Sequence, residues 1–196
     1  MRIGVLAWGS LVWNRGELLL ADDFRPNGPR LAIEFCRVSS DGRLTLVIDE
    51  TFGTPCPTYS GVSSFEDLDK AIENLWVRES KPGAKIPADL RGQAMIGFVD
   101  LQDNTESAVA RQRHPLAVDA IREWAGPEGF SAIVWTALPI RFKDTLNVPF
   151  STEAAIAYLD SLEDEAARSM ALDYVRKAPP EVRTPVRAEV QKRWPG

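Results

Sequence analysis

Two stretches of alternating apolar residues meet at an Asp-Gly pair, and that juxtaposition limits the fold of this chain more than any other feature. Leu31, Ile33 and Phe35 recur at every second position of residues 30–38, and Leu44, Leu46 and Ile48 do the same in residues 43–49. A period of two puts each set on one face of an extended strand. Between them, Ser39-Ser40-Asp41-Gly42 ends in a residue that takes positive φ without strain, so the two runs read as an antiparallel hairpin. An all-helical fold is excluded.

The remaining sequence mixes strands with helices. Residues 3–7 form an apolar run that reads as a short buried strand, and 58–62, 92–100 and 130–138 read as further strands. Ser63 and Glu66 match a capping box that opens a helix. Phe65, Leu68, Ile72, Leu75 and Trp76 then follow at helical spacing until Pro82-Gly83. Residues 105–113 are a polar link, 116–124 a helix stopped at Gly126-Pro127, and Ser151 an N-cap for a helical region. In that region Ala155, Tyr158, Leu159 and Leu162, then Ala167, Met170, Ala171, Tyr174 and Val175, carry the apolar faces. Pro179-Pro180 breaks it before a last basic helix. The class is α+β: a strand-rich first two-thirds and a helical tail.

Composition narrows the function classes. The formal net charge of −5 argues against nucleic acid or an anionic membrane as the main partner. Two cysteines and one histidine give neither a disulfide framework nor a metal-ligand spacing. There is no apolar run of membrane-spanning length and no segment with the pattern of a secretory signal. A cytoplasmic protein without metal or organic cofactor is expected.

Two features can carry chemistry. The first strand stops at Gly9-Ser10, where Gly9 lets the backbone turn sharply and a ligand come close. Amides exposed by such a turn, beside a hydroxyl, hold an anion without a charged side chain. The same pattern also suits an ordinary turn after a core strand. The second feature is Glu79, four residues after Leu75 and three after Trp76, which places it on the apolar face of the capped helix. It sits in the last turn, where the helix dipole disfavours negative charge. Burial and dipole together push a Glu pKa upward, toward values suited to moving protons. A frayed helix end with Glu79 in water is the competing reading.

Gly9-Ser10-Leu11-Val12-Trp13, followed by Val77-Arg78-Glu79 at the end of a helix, resembles the ChaC branch of the γ-glutamylcyclotransferases. Members of that branch open with Tyr-Gly-Ser-Leu-Val-Trp or a similar loop after the first strand. Their catalytic glutamate lies in an Arg-Glu pair after a helix whose entry strand is similar to Tyr59-Ser60-Gly61-Val62. The resemblance covers residues 3 to about 100; Trp8 stands where the family usually has tyrosine, and the second half departs from the compact family members. It implies a small mixed sheet closing into a barrel with flanking helices, in one domain over 1–196. Residues 1–140 are then the barrel-containing core and 151–196 a helical extension. It also implies a small-molecule γ-glutamyl substrate and release of 5-oxoproline. Glu79 would be the acid/base, and Trp8, Gly9, Ser10 and Leu11 the substrate-holding loop.

A non-catalytic binding module on the same fold is the main alternative, and an interaction domain using the helical tail is a third. The latter requires an exposed apolar patch between Ser151 and Trp194. Other residues rank below Glu79. Cys36 reads as core rather than as a partner of His114, and Asp49 and Glu50 point to opposite strand faces. Glu163-Asp164-Glu165 reads as a solvated helix start, and Arg37 and Arg43 as solvated strand-end arginines. Trp8 and Trp13 border the loop and are candidates to wall a pocket. Oligomeric state and leaving group stay open.

Overall fold

The computed structural model describes residues 1–195. In chain order these form β1 (Ile3–Ala7), β2 (Arg30–Val38), β3 (Leu44–Ile48), β4 (Thr54–Pro57), β5 (Tyr59–Val62) and α1 (Leu68–Glu79). Then come β6 (Ile96–Asp100), β7 (Thr105–Glu106), α2 (Ala108–Arg113), α3 (Pro115–Ala125), β8 (Ala132–Thr136) and α4 (Phe142–Leu146). The last three are α5 (Thr152–Asp160), α6 (Glu165–Lys177) and α7 (Pro185–Arg193). The α+β class holds. The chain folds into two compact units, each drawn from two stretches of sequence: Met1–Arg30 with Pro57–Leu138, and Leu31–Cys56 with the chain from Pro139 onward.

The first unit is built on a five-stranded sheet in the order β5-β1-β8-β6-β7. β1 and β8 run parallel, with Val5 opposite Val134, and the other pairings are antiparallel. Strand alternation sends Ile3, Val5, Ala7, Ile96, Phe98, Ala132 and Val134 to one face, where they meet Leu68, Ala71, Ile72, Leu75 and Trp76 of α1. Leu11 and Leu18, from the segment after β1, complete this cluster. Leu6, Val99, Ile133 and Trp135 occupy the alternate positions, all buried, and α3 packs on β6 and β8.

The expected barrel is corrected: neither sheet closes. β2, β3 and β4 pair among themselves in a separate three-stranded sheet, order β3-β2-β4, so they add no strands to the five. At one edge β7 has only two residues, too few to carry another partner. At the other, the segment after the first loop bridges β5 through Leu20–Ser63 and Arg25–Ser60, which protects the edge without extending the sheet. The capping box is corrected as well. Ser63 still belongs to extended backbone, its amide donating to Ile3 O, and its hydroxyl accepts only from Phe65 N. The true N-cap of α1 is Asp67, whose carboxylate accepts from Lys70 N at 2.9 Å.

In the second unit the Asp41-Gly42 hairpin forms as expected. Gly42 has φ of 82° and donates to Ser39 O, while Ser39 N bonds Arg43 O. Ser151 caps α5 by accepting from Ala154 N. In α6, Leu172 rather than Met170 is buried, because the helix starts at Glu165 and its phase carries Met170 outward. The buried Arg187 guanidinium holds the turn between α6 and α7. It donates to the carbonyls of Arg176, Ala178, Pro179 and Val182.

Candidate active site at the end of the first strand

After β1 the backbone coils tightly. Gly9 O accepts from Val12 N at 3.0 Å and Ser10 O from Asn14 N at 2.8 Å. The carbonyls of this turn are thus engaged. The amides of Gly9, Ser10 and Leu11 have no hydrogen-bond acceptor among the described residues. Gly9 and Ser10 are half-exposed, whereas Trp8 and Leu11 are buried, at 4% and 6% exposure.

One face of α1 fastens the segment that follows. Asn74 accepts from Leu19 N at 2.9 Å and donates to Glu17 O at 3.0 Å. One turn later, Arg78 Nη2 donates to Asn14 O at 2.6 Å. Gly16, at φ of 54°, passes close over this side chain: a Cβ there would lie 3.0 Å from Arg78 Cδ. Glycine is favoured for both reasons, the left-handed backbone and the missing methyl.

Arg78 is also the partner of Glu79, donating through Nη1 to Oε1 at 3.3 Å. Glu79 is the last residue of α1, and its side chain keeps only 15% of its exposure. The helix does not fray before it, since Ser80 N still bonds Trp76 O. Burial pushes the Glu79 carboxyl above the ordinary glutamate value, and the Arg78 guanidinium opposes that rise in part. A hydrogen-bonded chain therefore runs from Glu79 through Arg78 to Asn14, whose own amide holds Ser10 O. Arg78 and Asn14 thus connect the two sequence features by hydrogen bonds.

A cavity of about 270 Å³ opens on the same loop, lined by Val12, Trp13, Arg15, Asp23 and Phe24. Of the two bordering tryptophans, Trp13 walls it and Trp8 does not. Neither Glu79 nor Gly9 and Ser10 line it. Sequence periodicity offers no signal for Arg15, Asp23, Phe24 or Asn74. The first three are brought together by a loop, and Asn74 becomes legible only as the residue one helical turn before Arg78.

Residues ranked lower have structural roles. Cys36 is fully buried, and burial raises its thiol far above the ordinary range. His114 joins α2 to α3, its amide bonding Ala110 O and its carbonyl accepting from Val118 N. Asp49 closes a turn by accepting from Thr51 N and Phe52 N, and Asp164 caps α6. Arg43 pairs with Asp41 at 2.6 Å, and Arg37, half-buried rather than solvated, donates to Pro139 O. Between Ser151 and Trp194, Met170 is the one large apolar side chain exposed among the described residues, too little for the docking patch of an interaction domain. No helix among the described residues is long and apolar enough to cross a membrane, and no three His, Cys, Asp or Glu side chains cluster to hold a metal ion. Compared with family models, curated proteins and solved structures, the chain matches none.

Proposed function

We propose that this protein is a γ-glutamylcyclotransferase-like enzyme that releases 5-oxoproline from a γ-glutamyl peptide or amine. The observation that carries the reading is the pairing of Glu79, whose carboxyl burial pushes above the ordinary glutamate value, with the acceptor-free amides of Gly9, Ser10 and Leu11, linked through Arg78 and Asn14.

In such a substrate the α-amine attacks its own γ-carbonyl. The new C–N bond closes the five-membered lactam, and the old amide C–N bond breaks to free an amine. The protein supplies no nucleophile. It supplies proton transfer, and a carboxylate at Glu79 would accept the proton that the attacking nitrogen loses. The resulting acid would return it to the leaving nitrogen, so one side chain serves both halves of the reaction. A carboxyl raised by burial suits this exchange better than an ordinary glutamate, because donor and acceptor are then closer in proton affinity. The Gly9, Ser10 and Leu11 amides would bind the carbonyl oxygen as it gains charge, or the substrate carboxylate. Holding the amine over the carbonyl supplies the remainder, since the attack is intramolecular.

The test is Glu79→Gln, assayed for 5-oxoproline release from a panel of γ-glutamyl peptides and amines. Wild-type turnover with a loss of roughly 10²- to 10⁴-fold in the variant is expected from removing a general acid/base. A wild type that turns over no member of the panel, or a fully active variant, rejects the reading. If wild type is inactive yet a γ-glutamyl compound raises its melting temperature, the protein is the binding module instead. The lining of the loop cavity, which excludes Glu79, is the observation on that side.

A further inference from the structure

The loop cavity has its own chemistry. Arg15 Nη1 and Asp23 Oδ1 stand 2.9 Å apart within its lining, and both side chains keep substantial exposure, 44% and 87%. Val12, Trp13 and Phe24 form the apolar remainder, with Trp13 itself 37% exposed. Each wall is pinned independently of the other. The Trp13 wall is held by the bonds of Val12 and Asn14 within the turn and by Arg78 on Asn14 O. The Asp23–Phe24 wall is held on both sides, by Ala21 N on Val62 O and by the paired bonds of Arg25 with Ser60. The left-handed Gly16 reverses the chain just after Arg15. The backbone of both walls is therefore held in place without a ligand.

A neutral pair of opposite charges selects its ligand by charge pattern. A simple anion gains at Arg15 and is repelled by Asp23, and a simple cation meets the reverse, so neither is favoured on balance. A molecule carrying both signs a few bonds apart engages both. Its carboxylate takes the guanidinium donors that Asp23 leaves unused, while its ammonium takes the second Asp23 oxygen. The α-ammonium and α-carboxylate of an amino acid are separated by a distance comparable to that within the Arg15–Asp23 pair. Trp13 and Phe24 border the charged pair and give an apolar edge for the ligand's side chain. The cavity lies just below the roughly 300 Å³ at which drug-sized sites begin, which admits one residue rather than a peptide. We infer that the Val12–Trp13–Arg15–Asp23–Phe24 cavity is a binding site for a free zwitterionic α-amino acid, separate from the Glu79 centre.

The test reads binding alone, so its outcome is independent of whether 5-oxoproline forms. The indole resonance of Trp13, assigned with a Trp13→Phe variant, is followed while L-leucine, L-methionine or L-glutamate is added to the full-length protein. A saturable shift is expected with at least one of them. The two leucine analogues that each lack one charge, isoamylamine and 4-methylpentanoate, should bind at least about tenfold more weakly than leucine when leucine binds. Arg15→Gln and Asp23→Asn should each weaken binding by about the same factor. Both side chains are solvent-exposed, so both variants should unfold at the wild-type temperature. The inference is overturned if no amino acid shifts the Trp13 resonance, if a singly charged analogue binds as well as leucine, or if either charge substitution leaves affinity unchanged.

Discussion

Each unit of this protein buries a glutamate, and the two are buried on different terms. Glu34, on β2, is 1% exposed and sits among donors: Phe35 N at 2.7 Å, Val186 N at 3.4 Å near the start of α7, and the Thr184 hydroxyl. Burial raises its carboxyl, with a further push from Asp49, while those three donors pull it back down. Glu79 is also raised by burial, but only the Arg78 guanidinium opposes the rise. Glu34 thus serves as an internal acceptor tying a strand to a helix N-terminus. Glu79 has one side-chain partner, which is itself bound to the loop of acceptor-free amides. A buried acid surrounded by backbone donors is part of the architecture, whereas a buried acid with a single side-chain partner is available for chemistry.

The comparison breaks most sharply under substitution. Glu79→Gln should reduce 5-oxoproline release by roughly 10²- to 10⁴-fold while leaving the urea unfolding midpoint measured at about pH 4 almost unchanged. Glu34→Ala should do the opposite at the level of stability. It strands the Phe35 and Val186 amides in the interior, and roughly 2–4 kcal/mol of unfolding free energy should be lost, read from the same urea curves. If Glu34→Ala is neutral and Glu79→Ala costs several kcal/mol, the assignment of roles is reversed.

The pH dependence sharpens the contrast. Both carboxyls are raised in the folded protein from the ordinary value of 4.5, so in each case the native state binds its proton more tightly than the unfolded chain. The stability this contributes is fully present below pH 4.5 and is lost as pH climbs through the raised folded value. Glu34→Gln and Glu79→Gln should each flatten that decline when urea unfolding is measured at a series of pH values from about 4 to 8. The activity of wild type should rise over the same interval, because the acid/base must be ionised to begin the cycle. Arg78→Met removes the cation that favours the ionised form. The rising limb of kcat/KM should then move to higher pH, with a loss of roughly tenfold at neutral pH. An unmoved limb would show that Arg78 serves the loop and not the acid.

Much of the architecture was legible in local pattern. The Asp41-Gly42 hairpin, the Ser151 cap and the apolar face of α1 each follow from a period or a cap that neighbouring residues decide. The start of α1 was misplaced because Ser63 and Glu66 satisfy the capping-box spacing, while strand pairing with Leu20 and the bond to Ile3 O keep Ser63 extended. Closure of the sheet was not legible, since it depends on which strands pair, and β2–β4 pair with one another. For the candidate site, helical phase placed Glu79 on the apolar face, and Gly9-Ser10 marked the turn. The link between them was not legible: Arg78 looks like any last-turn basic residue until its guanidinium is seen on Asn14 O. The Arg15–Asp23 pair was equally hidden, because a loop reversal has no period.

The smallest effect separates the loop from the acid. The Asn74 side chain fastens the segment after the Gly-Ser turn by two hydrogen bonds, to Leu19 N and Glu17 O, and makes none to the side chain of Glu79 or Arg78. Asn74→Ala should cost about 1 kcal/mol of unfolding free energy, since the position is half-buried and water can reach the freed groups in part. Released from α1, the loop samples more positions, and the Gly9–Leu11 amides are aligned for a smaller fraction of the time. A several-fold fall in kcat/KM should follow, because misplacing substrate-holding groups is costly even when the chemistry is intact. The rising pH limb should stay where it is in wild type, because Arg78 still faces Glu79. Arg78→Met moves the limb and Asn74→Ala does not: that pair of profiles tells whether the loop and the acid are tuned separately. If Asn74→Ala shifts the limb as far as Arg78→Met, the loop itself governs the proton affinity of Glu79, and the single-partner description of this acid fails.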